Sequence, residues 1–172
     1  MMRLLELFAA AVLALPATAT QAAEPCTLVF GQGRNPPQQG GPDWDELNQR
    51  FSTAVANALD GVGRRIVPMT ASSVQIDPEA AGVALLQEAD RLRCATLAET
   101  AVFADEHDTL VLRLRVYPLL PALGEGGSIV GLRIGTPLFT TQRDLGLNAL
   151  PRLKPELVGQ QMAAEYLQHD RR

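Results

Sequence analysis

Residues 94–119 constrain the fold most. Two long apolar runs rich in β-forming residues, Cys94–Ala104 and Leu110–Leu119, are separated only by the polar loop Asp105-Glu106-His107-Asp108 and Thr109. Runs this close in sequence can bond to each other only as antiparallel strands across a tight polar turn. A loop of the four residues 105–108 would set Phe103 opposite Leu110 and Ala101 opposite Leu112 on an apolar core row. In that register the other row pairs Val102 with Val111, Thr100 with Arg113 and Ala98 with Arg115, and Glu99 falls on the core row opposite Leu114. A buried carboxylate without a partner is costly, so Glu99 is expected to find one or to reach the rim of the sheet.

Two strand–helix units precede this hairpin. Thr27–Phe30 reads as a short buried strand, followed by a Gly-, Pro- and Gln-rich loop over 31–42. Asp43 with Glu46 three residues on has the spacing of a capping box, and Trp44, Leu47, Phe51, Val55, Ala58 and Leu59 then recur on one helical face up to Gly61 and Gly63. Arg64–Met69 reads as a second strand, at an edge because Pro68 cannot donate to a ladder. Asp77-Pro78 opens a second helix with Ala81, Leu85, Ala89 and Leu92 inward. A third β-run over Ser128–Thr141 is broken by Gly131, Gly135 and Pro137, and a last helix over Pro155–Gln168 carries Val158, Met162 and Tyr166 on one stripe. The order β-α-β-α-β-β-β-α predicts one α/β domain with a mixed sheet of about five strands, helices mainly on one face and the other face partly open.

The N-terminus predicts export. Arg3 precedes a run from Leu4 to Leu15 that is apolar except for Glu6, then Pro16 and the small residues around Thr20 and Ala22. This is the pattern of a signal peptide cut after Ala22, and the run is too short to span a bilayer. A signal peptide over 1–22 and a periplasmic domain over 23–172 are expected, with no stable membrane insertion after cleavage. In an oxidising compartment the two cysteines, Cys26 and Cys94, are expected to pair, and parallel strands starting at these residues would place them side by side.

The net charge of −4 argues against nucleic acid as a partner. No metal site is expected from two distant cysteines with His107 and His169. No cofactor and no catalytic set are expected either, since neither histidine has a framed serine or an activated cysteine beside it. Two places remain as candidate sites. Gly31, Gly33 and Arg34 follow a strand and precede a helix, where an anion or small ligand can bind, although the remainder of a nucleotide fingerprint is missing. Arg113, Arg115 and Arg133 alternate with apolar residues and predict a basic stripe on the open sheet face, suited to an acidic partner or a glycan.

Several stretches resemble the amino-terminal domain of TolB and the related fold of CsgG and LpoB, which are bacterial envelope proteins or modules. The stretches are Thr27-Leu28-Val29-Phe30 with its glycine-containing loop, the helix bearing Leu47, Phe51, Val55 and Leu59, Gly63-Arg64-Arg65-Ile66-Val67, Ala89 to Leu97, and Asp108 to Val116. Arg93 stands where that family has a glycine before its third strand, and Thr96 where it has an aromatic residue. The resemblance implies the fold and a role in protein contacts, and carries no catalytic residues with it. The leading expectation is thus a non-enzymatic periplasmic interaction module, accessory to an envelope assembly. The alternative is a periplasmic small-ligand-binding or hydrolytic protein using the 31–42 loop, which convergence of Arg34, Glu99 and other polar groups on one pocket would favour.

Overall fold

The computed structural model describes residues 26–35, 39–61, 63–71 and 77–171. The expected leader over 1–22 and its cleavage site lie outside these residues, as does part of the loop after the first strand. The elements are β1 (Cys26–Gln32), α1 (Trp44–Asp60), β2 (Arg65–Ala71), α2 (Pro78–Leu92), β3 (Cys94–Ala104), β4 (Thr109–Leu123), β5 (Ile129–Ile134), β6 (Phe139–Gly146) and α3 (Pro155–Asp170). Short 3-10 turns at Glu125–Gly127 and Leu147–Arg152 complete the order.

The sheet is mixed and runs β2-β1-β3-β4-β5, with β6 also on β4. β1 is parallel to both β2 and β3, whereas β4 is antiparallel to β3, β5 and β6. β2 is an edge strand, as Pro68 requires. The third β-run is two strands because its chain leaves the ladder between Ile134 and Phe139. Gly135 N donates to Pro118 O at 2.9 Å and Leu138 N to Val116 O at 2.7 Å, so β5 and β6 follow one another along β4.

Topology decides where the helices go. The β1–α1–β2 crossover steps to one side of β1, and β2–α2–β3 steps back past it to the other. Right-handed crossovers in opposite directions put their helices on opposite faces. α1 and α3 accordingly share one face, where Phe51, Val55, Leu59, Met162 and Tyr166 pack on Val29, Ala98, Val102 and the Leu110–Leu112–Leu114–Val116 row. On the other face Leu85 and Ala89 of α2 meet Leu28, Leu97 and Leu119. Cys26 and Cys94 begin neighbouring parallel strands and form a disulfide on this side.

The local signals act where the sequence places them. Asp43 Oδ1 accepts the Glu46 N–H at 2.9 Å at the start of α1, and Asp77 Oδ1 accepts the Glu79 N–H at 3.0 Å at the start of α2. Arg93 closes α2 in the left-handed region at φ 56°, a conformation that glycine adopts without the steric cost of a Cβ.

The hairpin register differs from expectation by one residue. Asp105 N donates to Thr109 O at 3.0 Å, so the loop proper is the three residues 106–108, with Asp108 left-handed at φ 55°. Ala104 therefore opposes Leu110, Val102 opposes Leu112, Ala101 opposes Arg113 and Glu99 opposes Arg115. The core row is Ala98, Val102 and the even-numbered leucines of β4, and Glu99 shares the opposite face with the arginines.

Candidate functional site

On the α2 side, the helix packs against β5 and the start of β3. Among the described residues no helix crosses the rest of that face, formed by the later part of β3, the earlier part of β4, and β6. The one-residue shift in register places Glu99, Ala101 and Phe103 of β3 there, opposite Arg115, Arg113 and Val111 of β4.

These side chains converge. Glu99 Oε1 lies 3.1 Å from Arg34 Nη2 and 3.5 Å from Arg113 Nη2. Tyr117 Oη donates to Glu99 Oε2 at 3.0 Å. The guanidinium carbons of Arg34 and Arg113 stand 5.3 and 5.6 Å from the centre of the Phe103 ring, within cation–π range. Arg34 reaches the cluster because Asn35 ties its loop to the end of β3: Asn35 Nδ2 donates to Ala104 O at 3.0 Å and Asn35 Oδ1 accepts the Ala104 N–H at 2.9 Å. The side-chain amide thus continues the ladder where β1 has ended.

Arg113 is the unusual member. It is only 8% exposed, and neither its Nε nor its Nη2 has a hydrogen-bond partner. Burial lowers its pKa from the ordinary arginine value, the nearby positive charges of Arg34 and Arg115 lower it further, and Glu99 opposes the shift. A guanidinium stays protonated under these conditions. The shift therefore reports first the burial of this charge and then the crowding of Arg34 and Arg115, which Glu99 offsets only in part. Asp144 also lies on this face, where its Oδ1 accepts from Gln142 Nε2 at 2.8 Å.

A groove of about 300 Å³ adjoins the cluster between α2 and the sheet. Phe30, Leu85, Leu97 and Ile134 supply apolar wall, while Glu99 and Tyr117 belong to both groove and cluster. Gly82 of α2 lines the groove, and a Cβ added at that position would meet nothing within 4 Å.

The other candidate residues are placed differently. Arg133 opposes Leu120 on β5, and strand alternation puts it on the face away from Arg113 and Arg115. The basic stripe is thus two strand arginines joined by Arg34 from the loop. Gly31 is a close-packing residue: a Cβ there would lie 2.9 Å from Ser52 Oγ of α1 and 3.3 Å from Thr100 Oγ1. Gly33 N donates to Ala71 O at 3.4 Å, extending the β1–β2 edge. A second hollow of about 190 Å³ lies by Gly31, Asn48 and Thr70, where the Asn48 amide donates to Gln32 O and to Val102 O. His107 is exposed on the hairpin turn, 4.0 Å from both Asp105 and Glu106. Phe139 and His169 make a tilted ring contact with centres 5.4 Å apart.

The arrangement can grip an oxyanion. Nε and Nη2 of an arginine lie on one edge of the guanidinium and together can bridge the two oxygens of a carboxylate or phosphate. Charge-assisted contacts of this kind gain strength where the surroundings exclude water. Among the described residues no group of three or more His, Cys, Asp or Glu side chains could hold a metal ion, and no helix is long and apolar enough to cross a membrane. No protein-family model matches this chain, and no curated protein matches it either.

Proposed function

We propose that this protein is an exported, non-enzymatic interaction module of the bacterial envelope that docks an acidic partner protein on the α2 side of its sheet. The carrying observation is the placement of Arg34, Arg113 and Arg115 on a sheet face that no described helix crosses, with Glu99 paired to Arg34 and Arg113 and opposite Arg115 in the ladder. Opposite charge steers such an encounter and fixes its orientation. The leader pattern of residues 1–22 and the Cys26–Cys94 disulfide support export to an oxidising compartment. The resemblance to the TolB amino-terminal, CsgG and LpoB modules supports a role in protein contacts.

The test is crosslinking in the intact envelope, with the full gene expressed from its own leader and a tag at the C-terminus. Arg34→Glu combined with Arg115→Glu reverses charge while leaving the buried Arg113 in place. A reproducible envelope partner captured by the wild type and lost in this variant is the expected result. Equal capture by both would overturn the assignment of the surface.

A second reading, a periplasmic small-ligand-binding protein, is favoured by the direct contact of Arg34 with Glu99 beside the groove. It predicts binding of a small anion in the absence of any protein partner.

A further inference from the structure

Glu99 shows what the cluster recognises, because it is itself a carboxylate held by two arginines and a tyrosine hydroxyl. Arg113 is buried, its Nε has no hydrogen-bond partner, and its Nη2 meets Glu99 only as an ion pair at 3.5 Å. Buried polar groups in folded proteins are nearly always fully bonded, so this guanidinium edge keeps capacity for a better-placed carboxylate. The apolar groove begins at the same Glu99 and Tyr117. A ligand that used both halves would carry its carboxylate and its apolar group within a few ångströms of each other. At a polypeptide C-terminus both hang from one Cα. The side-chain amide of Gln32, also on the groove wall, can pair with a main-chain amide.

We propose that the arginine cluster and the groove form one receptor for the C-terminal residue of a partner polypeptide. The C-terminal carboxylate is taken by Arg34 and Arg113 in place of Glu99, and an apolar last side chain lodges between Phe30, Leu85, Leu97 and Ile134. The inference rests on the interaction-module reading above and names what the partner presents. Glu99 is then an internal substitute that occupies the site until the ligand displaces it. Arg34, the most exposed member with 40% of its side chain accessible, is the one positioned to move aside.

The two sides of the Glu99–Arg113 pair consequently differ in their effect on binding. In a purely structural ion pair, removing either charge harms the site. In a self-occupied site, Glu99→Gln removes a competitor and tightens ligand binding, while Arg113→Gln removes the receptor and weakens it. Gly82→Leu fills the groove from a position with open space around it and does so without loss of helix propensity.

The experiment is calorimetric titration of the protein purified from the periplasm. The probes are an N-acetylated tripeptide ending in leucine with a free carboxylate, the same peptide as its C-terminal amide, and octanoate. The expected result is binding of the free acid, at least about tenfold weaker binding of the amide, loss of a bidentate contact being of that order, a severalfold gain in Glu99→Gln, and loss in both Arg113→Gln and Gly82→Leu. Should Arg113→Gln fail to fold, Glu99→Gln and Gly82→Leu still decide the matter. Equal binding of acid and amide overturns the proposal, as do weakening by Glu99→Gln, binding of octanoate alone, and absence of binding by all three probes. If the envelope partner is still lost in the Arg34→Glu, Arg115→Glu protein while no peptide binds, the receptor proposal fails and the interaction-module reading stands.

Discussion

Asp105 Oδ1 accepts the backbone N–H of Thr109 at 2.8 Å, and the same oxygen accepts the His107 N–H at 2.9 Å. These bonds close the β3–β4 turn around the three residues 106–108, and the closure sets the register of every pair that follows. They also hold the Asp105 carboxyl below its ordinary value of 3.8, the Thr109 and His107 amides being the leading causes. A depressed folded-state pKa means that the stabilisation is present above the unfolded value and is lost as pH falls through the folded one. The expected outcome is that urea stability of the wild type falls between neutral pH and about pH 3 by more than that of Asp105→Asn, which keeps the acceptor but not the charge. Asp105→Ala should be the less stable variant at neutral pH. Equal acid sensitivity in wild type and Asp105→Asn would show that other carboxylates govern the transition.

The Cys26–Cys94 bond closes a loop across 68 residues of sequence and ties the parallel strands β1 and β3 at their starts. Chain-entropy arguments assign such a crosslink about 4 kcal/mol, most of it through the unfolded state. The double variant Cys26→Ser, Cys94→Ser is expected to lose stability on this scale in urea, and reductant should move the wild-type midpoint toward the variant without moving the variant. A midpoint in the wild type that is indifferent to reductant would count against the bond as a source of stability.

Arg93 occupies the left-handed region at φ 56° with an exposed side chain. Glycine at this position relieves about 1–2 kcal/mol of steric cost and gives back about 0.4–1 kcal/mol in unfolded-state entropy. Arg93→Gly is thus expected to raise stability by about 0.5 kcal/mol, measured as a higher urea midpoint with an unchanged slope. Destabilisation would mean that the Arg93 side chain makes a contribution of its own.

Much of the fold is legible in local chemistry. Asp43 and Asp77 announce their helices because capping is decided within four residues, and Pro68 marks an edge because a missing N–H cannot be hidden in a ladder. The pairing of Cys26 with Cys94 is legible because both residues stand at the starts of neighbouring parallel strands. The candidate site was legible only in part, because its geometry depends on the register of the hairpin. The choice between a loop of 105–108 and one of 106–108 rests on the Asp105 bonds to the His107 and Thr109 amides together with the left-handed backbone at Asp108, and residue type leaves both loops open. That one residue moves Glu99 from opposite Leu114 to opposite Arg115, and so from an apolar row into the arginine cluster. Arg34 joins through the Asn35–Ala104 bonds across 69 residues, and Arg133 leaves because β5 takes its facing from its alignment on β4. Neither relation has a local signature.

Two helical glycines should respond to the same substitution in opposite directions. Gly159 sits where α3 lies against α1, and a Cβ on it would stand 2.8 Å from the carbonyl oxygen of Phe51 and 3.1 Å from Ala54 Cβ. The first contact is with helical backbone, which cannot swing away as a side chain can, so the helices must separate. Overpacking of this kind costs about 1–3 kcal/mol, more than the roughly 1 kcal/mol that alanine gains over glycine in helix propensity. Gly82 on α2 has nothing within 4 Å of the same added carbon. There propensity acts alone, and Gly82→Ala should stabilise by up to about 1 kcal/mol. Thermal and urea unfolding of the two variants beside the wild type would check both signs. If Gly159→Ala stabilised as Gly82→Ala does, α1 and α3 would have to pack less closely than this interface requires.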